Sequence, residues 1–316
     1  MDIRGMRYFV AIVEHGSLTR AAEVAHVAQP ALSQQLAALE AELGVALVHR
    51  GAKGVKPTEA GRTLYRHARS ILKQVDMARA DVKVAGADIA GNVAIGLPTT
   101  AAAAFGMPLV RAVRERYPGV RLQLFESMSG YIAELLNNNR LDFAILFRET
   151  PSRAVELEPL ASEALYLVGT PPIAVESKRR RAASGKEATI ALKSLADIPL
   201  VLPSGAQGLR EVLEQHASGA GIRLQVVADL DSLPILLQTA REGLACTILP
   251  ASSLSREPDD AALPTRLILP ELGRTLSLCW PRALPRTAAA EAVAEALREI
   301  VAAKIAEGGS LKAARA

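Results

Sequence analysis

Four side chains at the start of one short helical run have the chemistry to read a polyanion. Gln29, Pro30, Ser33 and Gln34 are uncharged, and their amides and hydroxyl both donate and accept. A helix end so furnished is slim enough to enter a major groove and polar enough to read base edges there. Three cations follow in the turn Arg50-Gly-Ala-Lys-Gly-Val-Lys56. Arg50, Lys53 and Lys56 suit phosphates or a minor groove. A second set lies further on, at predicted strand ends: Pro98-Thr99-Thr100, Ser127, Ser129, Phe147, Leu202-Pro203-Ser204 and Cys246-Thr247. Neutral hydroxyls beside helix-start N–H groups suit a carboxylate or another small anion. They make no catalytic set, because no His and no evident Asp/Glu pair accompanies them. Ser204-Gly-Ala-Gln-Gly208 lacks the Gly-Lys-Ser/Thr ending of a phosphate loop. Cys246 and Cys279 are far apart, match no metal spacing and fit a reducing compartment. The expectation is a protein that is not an enzyme and needs no cofactor or metal. The plain alternatives are a helical hairpin in a core, a solvated basic turn, and hydroxyls that only cap helices.

The elements that must hold the first set are legible in the spacing. Residues 3–15 predict a helix with Met6, Phe9, Val10 and Val13 on one buried face, closed by Gly16. Ser17 caps a second helix. Pro30 opens a third, whose Leu32, Leu36, Leu39 and Leu43 form a buried stripe, with Gly44 as its stop. Val45–His49 reads as a strand before the basic turn, so residues 1–58 predict a winged helix-turn-helix domain. Residues 59–87 predict a long linker helix. Gly61, Leu64, Ala68, Ile71, Val75, Ala78 and Val82 recur at intervals of three and four, a heptad seam that one helix cannot bury alone. Leu64, Ala68, Ile71, Val75, Ala78 and Val82 are therefore the expected dimer contacts. A two-fold pair would set two recognition helices on adjacent major grooves. Charge agrees with this placement: residues 1–87 hold 12 Lys and Arg against 8 Asp and Glu, and so carry the whole net charge of +4.

The elements that hold the second set follow from residue 93. Strands and helices alternate as βαβαβ, then again in a second series, and the chain ends in an Ala-rich helix at 288–306. The fold expected is an α/β bilobed body, with a cleft at the carboxyl ends of its strands. Residues 91–163 and 268–306 would form lobe I, and 164–267 lobe II. The stretch 175–188, with Lys178-Arg-Arg-Arg181, reads as an exposed loop. Half the residues are hydrophobic, enough for a large core, yet no apolar run reaches the ~18 residues of a membrane span. The N-terminus lacks the pattern of a signal peptide, so the expected location is cytoplasmic.

Gly16-Ser-Leu-Thr-Arg-Ala-Ala-Glu23, Ala28-Gln-Pro-Ala-Leu-Ser-Gln-Gln35, Leu39-Glu40, Glu42-Leu-Gly44 and Pro57-Thr-Glu-Ala-Gly61 together resemble the LysR-type transcriptional regulators. The likeness covers the whole chain: winged helix, linker helix and a two-subdomain effector region similar to the periplasmic binding proteins. Ile12–Thr19, Gly54–Thr58 and Leu64–Arg69 resemble the nitrogen assimilation control subgroup. The resemblance implies DNA contacts at Gln29, Pro30, Ser33, Gln34, Arg50 and Lys53, and an effector site near Thr99, Thr100, Ser129, Phe147, Ser204 and Thr247. It implies a homodimer or homotetramer on an inverted repeat in promoter double-stranded DNA, with RNA polymerase as partner if the protein activates. Three departures stand out: Ala28 where many members have serine, Gln34 where arginine is common, and a longer loop at 172–194. The function expected is a sequence-specific regulator that responds to a small, anionic metabolite. The alternatives are a regulator set by its own amount with an idle cleft, and an enzyme with a DNA-binding appendage.

Overall fold

The computed structural model describes residues 1–51, 54–83, 89–147, 154–172, 188–205, 208–253, 263–308 and 311–314. Two compact units result: Met1–Asp88 with the short segments Asn137–Arg140 and Pro281–Thr287, and a larger unit formed by the rest.

The first unit opens with α1 (Ile3–His15), α2 (Leu18–Val24) and α3 (Gln29–Leu43). Asp2 caps α1 through the Gly5 N–H, and Gly16 ends it in the left-handed region. Ser17 caps α2 by accepting from the Arg20 N–H. Met6, Phe9, Ile12, Leu32, Leu36 and Leu39 are buried in a common core, each large apolar side chain contributing about 1.5–3 kcal/mol. Ile12 takes the fully buried place expected of Val13, which is only half-buried. Leu43 leaves the predicted stripe and stands 39% exposed, because α3 ends there and the helical period has carried that residue past its core.

The wing is an antiparallel pair, β1 (Val48–Gly51) with β2 (Gly54–Pro57). The strand starts later than Val45, which is exposed. Glu40 on α3 sets that start, its carboxylate accepting from the N–H groups of Leu47 (2.7 Å) and Val48 (3.3 Å). At the other end of the wing the Val55 N–H donates to the Gly16 carbonyl at 2.8 Å. A Cβ on Gly54 (φ 101°) would lie 2.5 Å from that same oxygen, so glycine is required. The linker helix, α4 (Glu59–Lys83), follows.

In the larger unit, β3 (Ala90–Pro98) pairs in parallel with β4 (Gly119–Ser127) and with β5 (Phe143–Phe147), as the βαβαβ pattern predicts. Between β3 and β4 a helical run comprises α5 (Thr99–Ala101), a π segment (Ala102–Gly106) and α6 (Met107–Arg116). Next come α7 (Ser129–Asn137), the long strand β6 (Val155–Val168), β7 (Thr189–Ala191) and β8 (Pro199–Leu202). They are followed by α8 (Gly208–Gly219), β9 (Gln225–Asp229), α9 (Leu233–Arg241), β10 (Thr247–Pro250) and β11 (Thr265–Leu269). The chain then forms β12 (Gly273–Pro281), α10 (Ala288–Ala306) and β13 (Leu311–Ala313).

The main sheet is mixed, in the order β4-β3-β5-β12-β6-β11-β7, with β10 and β13 also on β6. Two cores flank it. The first gathers Ile95, Leu97, Phe105, Phe143, Leu278, Trp280 and Leu297. The second gathers Leu167, Leu200, Leu202, Leu213, Leu236 and Ile248. Strand β6 contributes to both, Ala161 to the first and Leu165, Leu167 and Val168 to the second, so the sheet runs through from one core to the other. The strand expected at Ala164–Gly169 is the far end of β6; its near end, with mixed exposure and three glutamates, carries no continuous apolar signal. The basic loop predicted at 175–188 lies almost wholly outside the described residues.

Candidate functional site

The opening of α3 exposes Gln29, Pro30 and Gln34 to solvent, with Ser33 half-buried beside them. The helix starts without a side-chain cap, since Ala28 (φ −69°, ψ 135°) has none to offer. His26 (φ 54°) makes the tight turn from α2, where its N–H donates to Glu23 O (3.2 Å) and the Val27 N–H to Ala22 O (3.0 Å). These bonds fix the angle at which α3 leaves α2. The wing reaches the same face: an Arg50 guanidinium N–H lies 3.5 Å from the Ser33 hydroxyl. Arg50, Ser33 and Gln34 therefore form one polar surface of cation, hydroxyl and amide. Lys53 lies outside the described residues.

The linker seam splits in two. Ala68 is fully buried in the core of its own unit, with Leu64 and Ile71 packed against that core. Gly61 abuts the Leu47 carbonyl of the same unit. These positions, expected at a partner helix, are used internally. Tyr65 completes the internal contact. Its phenol donates to Glu14 at 2.9 Å, and Arg69 donates to the same carboxylate oxygen at 2.8 Å. Burial, and then the neighbouring Glu14 charge, raise the Tyr65 pKa. Val75 remains half-buried and Ala78 exposed; the Val82 side chain is outside the described set.

In the larger unit, Thr99, Thr100, Ser129 and Phe147 do come together, with Pro98, Met128, Pro203, Leu209, Leu233, Leu236, Leu249 and Arg274. The helical runs that begin at Thr99, Ser129, Gly208 and Leu233 all start at this lining. The Gly208 N–H donates to the Ser129 hydroxyl at 3.3 Å. Ser204 and Thr247 are not in the lining. Ser204 is turned to Asp231, its N–H at 2.9 Å and its hydroxyl at 2.8 Å. Thr247 is fully buried, and its hydroxyl has no hydrogen-bond partner among the described residues.

The free space in this cleft is about 40 Å³, room for a few waters at most. What fills it is an arginine that the residue pattern did not single out. Arg274 Nε donates to Glu163 Oε1 at 2.7 Å, and an Nη donates to Thr100 Oγ1 at 2.8 Å. Its guanidinium carbon sits 3.5 Å from the centre of the Phe147 ring. Arg274 is 4% exposed and Glu163 2%. Burial pulls the guanidinium pKa down, and Glu163 opposes that shift. The Ser252 hydroxyl donates to the other Glu163 oxygen. The signal available in the sequence was a charge set in each of two apolar strands, Ala-Ser-Glu163-Ala-Leu and Gly-Arg274-Thr-Leu. Lys, Arg, Glu and Asp are seldom fully buried unless paired.

Neither cysteine is a candidate nucleophile. Cys279 is fully buried and Cys246 2% exposed; burial pushes the Cys246 thiol up to about 11, with Arg266 acting in the opposite direction. Among the described residues there is no group of three or more metal-ligating side chains, and no helix is long and apolar enough to cross a membrane.

Comparison with known proteins agrees with this arrangement. Residues 3–62 match the family described as "Bacterial regulatory helix-turn-helix protein, lysR family", and residues 86–302 match "LysR substrate binding domain". The chain is 35% identical to the nitrogen assimilation regulatory protein nac of Escherichia coli K12, covering 97% of each. It is 37% identical to the protein of that name from Klebsiella aerogenes, covering 95% of each. A full-length OxyR from Pseudomonas aeruginosa shares the fold, with a TM-score of 0.76 at 24% identity over 94% of this chain and 95% of that one. The winged helix-turn-helix unit and the bilobed cleft are thus the two parts of a DNA-binding transcriptional regulator, and the chain belongs to the LysR family.

Proposed function

We propose that this regulator reads an inverted repeat in promoter double-stranded DNA as a homodimer, assembled further to a homotetramer. Gln29, Pro30, Ser33 and Gln34 meet the bases, while Arg50 and Lys53 meet phosphates. The observation that carries the reading is the exposed, uncharged opening of α3 with Arg50 laid against Ser33. A solvated helix end has no reason to be free of charge, whereas base edges require side chains that both donate and accept. The far part of the linker seam, Val75, Ala78 and Val82, meets the partner helix. The protein works in the cytoplasm, with RNA polymerase as a partner at activated promoters. On its likeness to the nac proteins we place it with the nitrogen assimilation regulators.

The test is a competition gel shift on the promoter region of its own gene. Ser33→Ala or Gln29→Ala should lower the preference for specific over non-specific DNA by about 10- to 100-fold, near 1–3 kcal/mol. Arg50→Ala should weaken binding to every sequence and lower the salt slope by about one. An unchanged preference in both reader variants refutes the assignment.

Two readings of the cleft have support. Four helix starts converge on it, which favours a small anion such as a carboxylate. The space already filled by Arg274 favours control by the amount of protein, with no metabolite. Calorimetry of the full chain against a set of small carboxylic acids separates them: heat that saturates supports the first, none the second.

A further inference from the structure

We propose that the cleft is a guanidinium-binding site and that its resident ligand is the chain's own Arg274. The proposal deepens the second reading of the cleft above, and it stands or falls independently of which residues read DNA. Each feature that recognises a guanidinium is present around this one. A carboxylate accepts from it, a hydroxyl accepts from the Nη that also lies against that carboxylate, and an aromatic face lies under it. The receptor also joins the two halves of the unit. Thr100 and Phe147 belong to elements of the first core. Ser252, which holds the other oxygen of Glu163, lies in the turn after β10 of the second core. Arg274 lies on β12, a strand of the first core, and Glu163 on β6, the strand that contributes to both cores. Thr100, Arg274, Glu163 and Ser252 thus form one continuous polar bridge.

A buried ion pair is a poor way to gain stability, since apolar residues of equal volume usually do as well or better. Its value here is positional, because through the Ser252 hydroxyl on Glu163 it fixes one lobe against the other. An external solute would have to compete with a tethered ligand whose effective concentration is in the millimolar range or above. The cleft is therefore held shut without any metabolite.

The experiment is thermal unfolding of the full chain as wild type, Arg274→Ala and Arg274→Ala/Glu163→Gln. Each is measured with guanidinium chloride at about 20 mM, far too dilute to denature, and with equal sodium chloride. Emptying the receptor should let free guanidinium bind, so Arg274→Ala alone should gain about 3 °C in guanidinium. Wild type and the double variant should not move. A single variant that rises no more than wild type, or a double variant that rises equally, overturns the proposal. If Arg274→Ala yields no folded protein, Thr100→Val carries the test, since it removes only the acceptor on the first core. Hydrogen exchange through residues 99–106 should then quicken by about tenfold. Unchanged exchange in that variant overturns the proposal.

Discussion

Gly61→Ala sets two physical effects against each other, and their magnitudes decide the outcome. Helix propensity favours alanine over glycine by about 1 kcal/mol, and the unfolded chain loses freedom as well. On those grounds the change would stabilise α4. Yet a Cβ on Gly61 would lie 1.9 Å from the Leu47 carbonyl oxygen, 3.0 Å from its carbon and 3.3 Å from the Pro57 Cβ. Ordinary contact begins near 3.4 Å, so backbone must retreat by roughly 1.5 Å in a closely packed interior. Leu47 is not free to give way. Its carbonyl accepts from the Thr58 N–H at 2.9 Å, and its own N–H is held by Glu40 at 2.7 Å. Overpacking costs about 1–3 kcal/mol and the strained hydrogen bond about 1 kcal/mol. Set against the propensity gain, the net is a loss of about 2 kcal/mol. Urea unfolding followed by far-ultraviolet circular dichroism should show the smaller unit melting earlier. Trp280, the only tryptophan, belongs to the core of the larger unit, so its fluorescence serves as the internal control and should not shift. A variant as stable as wild type within about 0.5 kcal/mol, or more stable, refutes the reasoning.

Ala28→Ser should stabilise the smaller unit by about 1 kcal/mol, because the backbone at that position already has the extended conformation of an N-cap; chemical denaturation that shows no gain would mean that the introduced hydroxyl cannot reach the first turn. Tyr65→Phe should cost about 1 kcal/mol at neutral pH through the lost bond to Glu14. Burial raises the Tyr65 pKa in the folded state above the usual value near 10. Its contribution is therefore fully present below pH ~10 and is lost as pH rises from there through the folded value; the alkaline fall in stability should be shallower in Tyr65→Phe, and parallel pH profiles would count against the buried phenol.

What the sequence disclosed and what it hid divide along one physical line. Local signals were legible: the Ser17 cap, the Leu32–Leu36–Leu39 stripe, the parallel β3, β4 and β5, and α10 at 288–306. Each is written in residues close together in the chain. Contacts between distant residues were not. The spacing from Gly61 to Ile71 looked like a seam for a partner helix, because periodicity reports that a face is buried and not against what. The same limit applies to the cleft. Strand-end hydroxyls pointed to Thr99, Thr100 and Ser129, which line the cleft. They also suggested Ser204 and Thr247, which are engaged or buried elsewhere. Arg274 and Glu163 are 111 residues apart, and neither has a local pattern that names the other. Only the pairing of β6 with β12 in the sheet brings them to one place.

The π segment at Ala102–Gly106 gives the cleft an unusual dependence on a single residue. A π turn within an α-helix amounts to one inserted position. Without it, everything upstream would turn by about 100° around the axis relative to Leu109 and Val113, whose places in the core are fixed. Thr99 and Thr100 would then face away from Arg274. Deleting one alanine from 102–104 would leave a more regular helix with its threonines on the wrong side. The phase of a backbone spiral, rather than the choice of side chain, is what aims that hydroxyl.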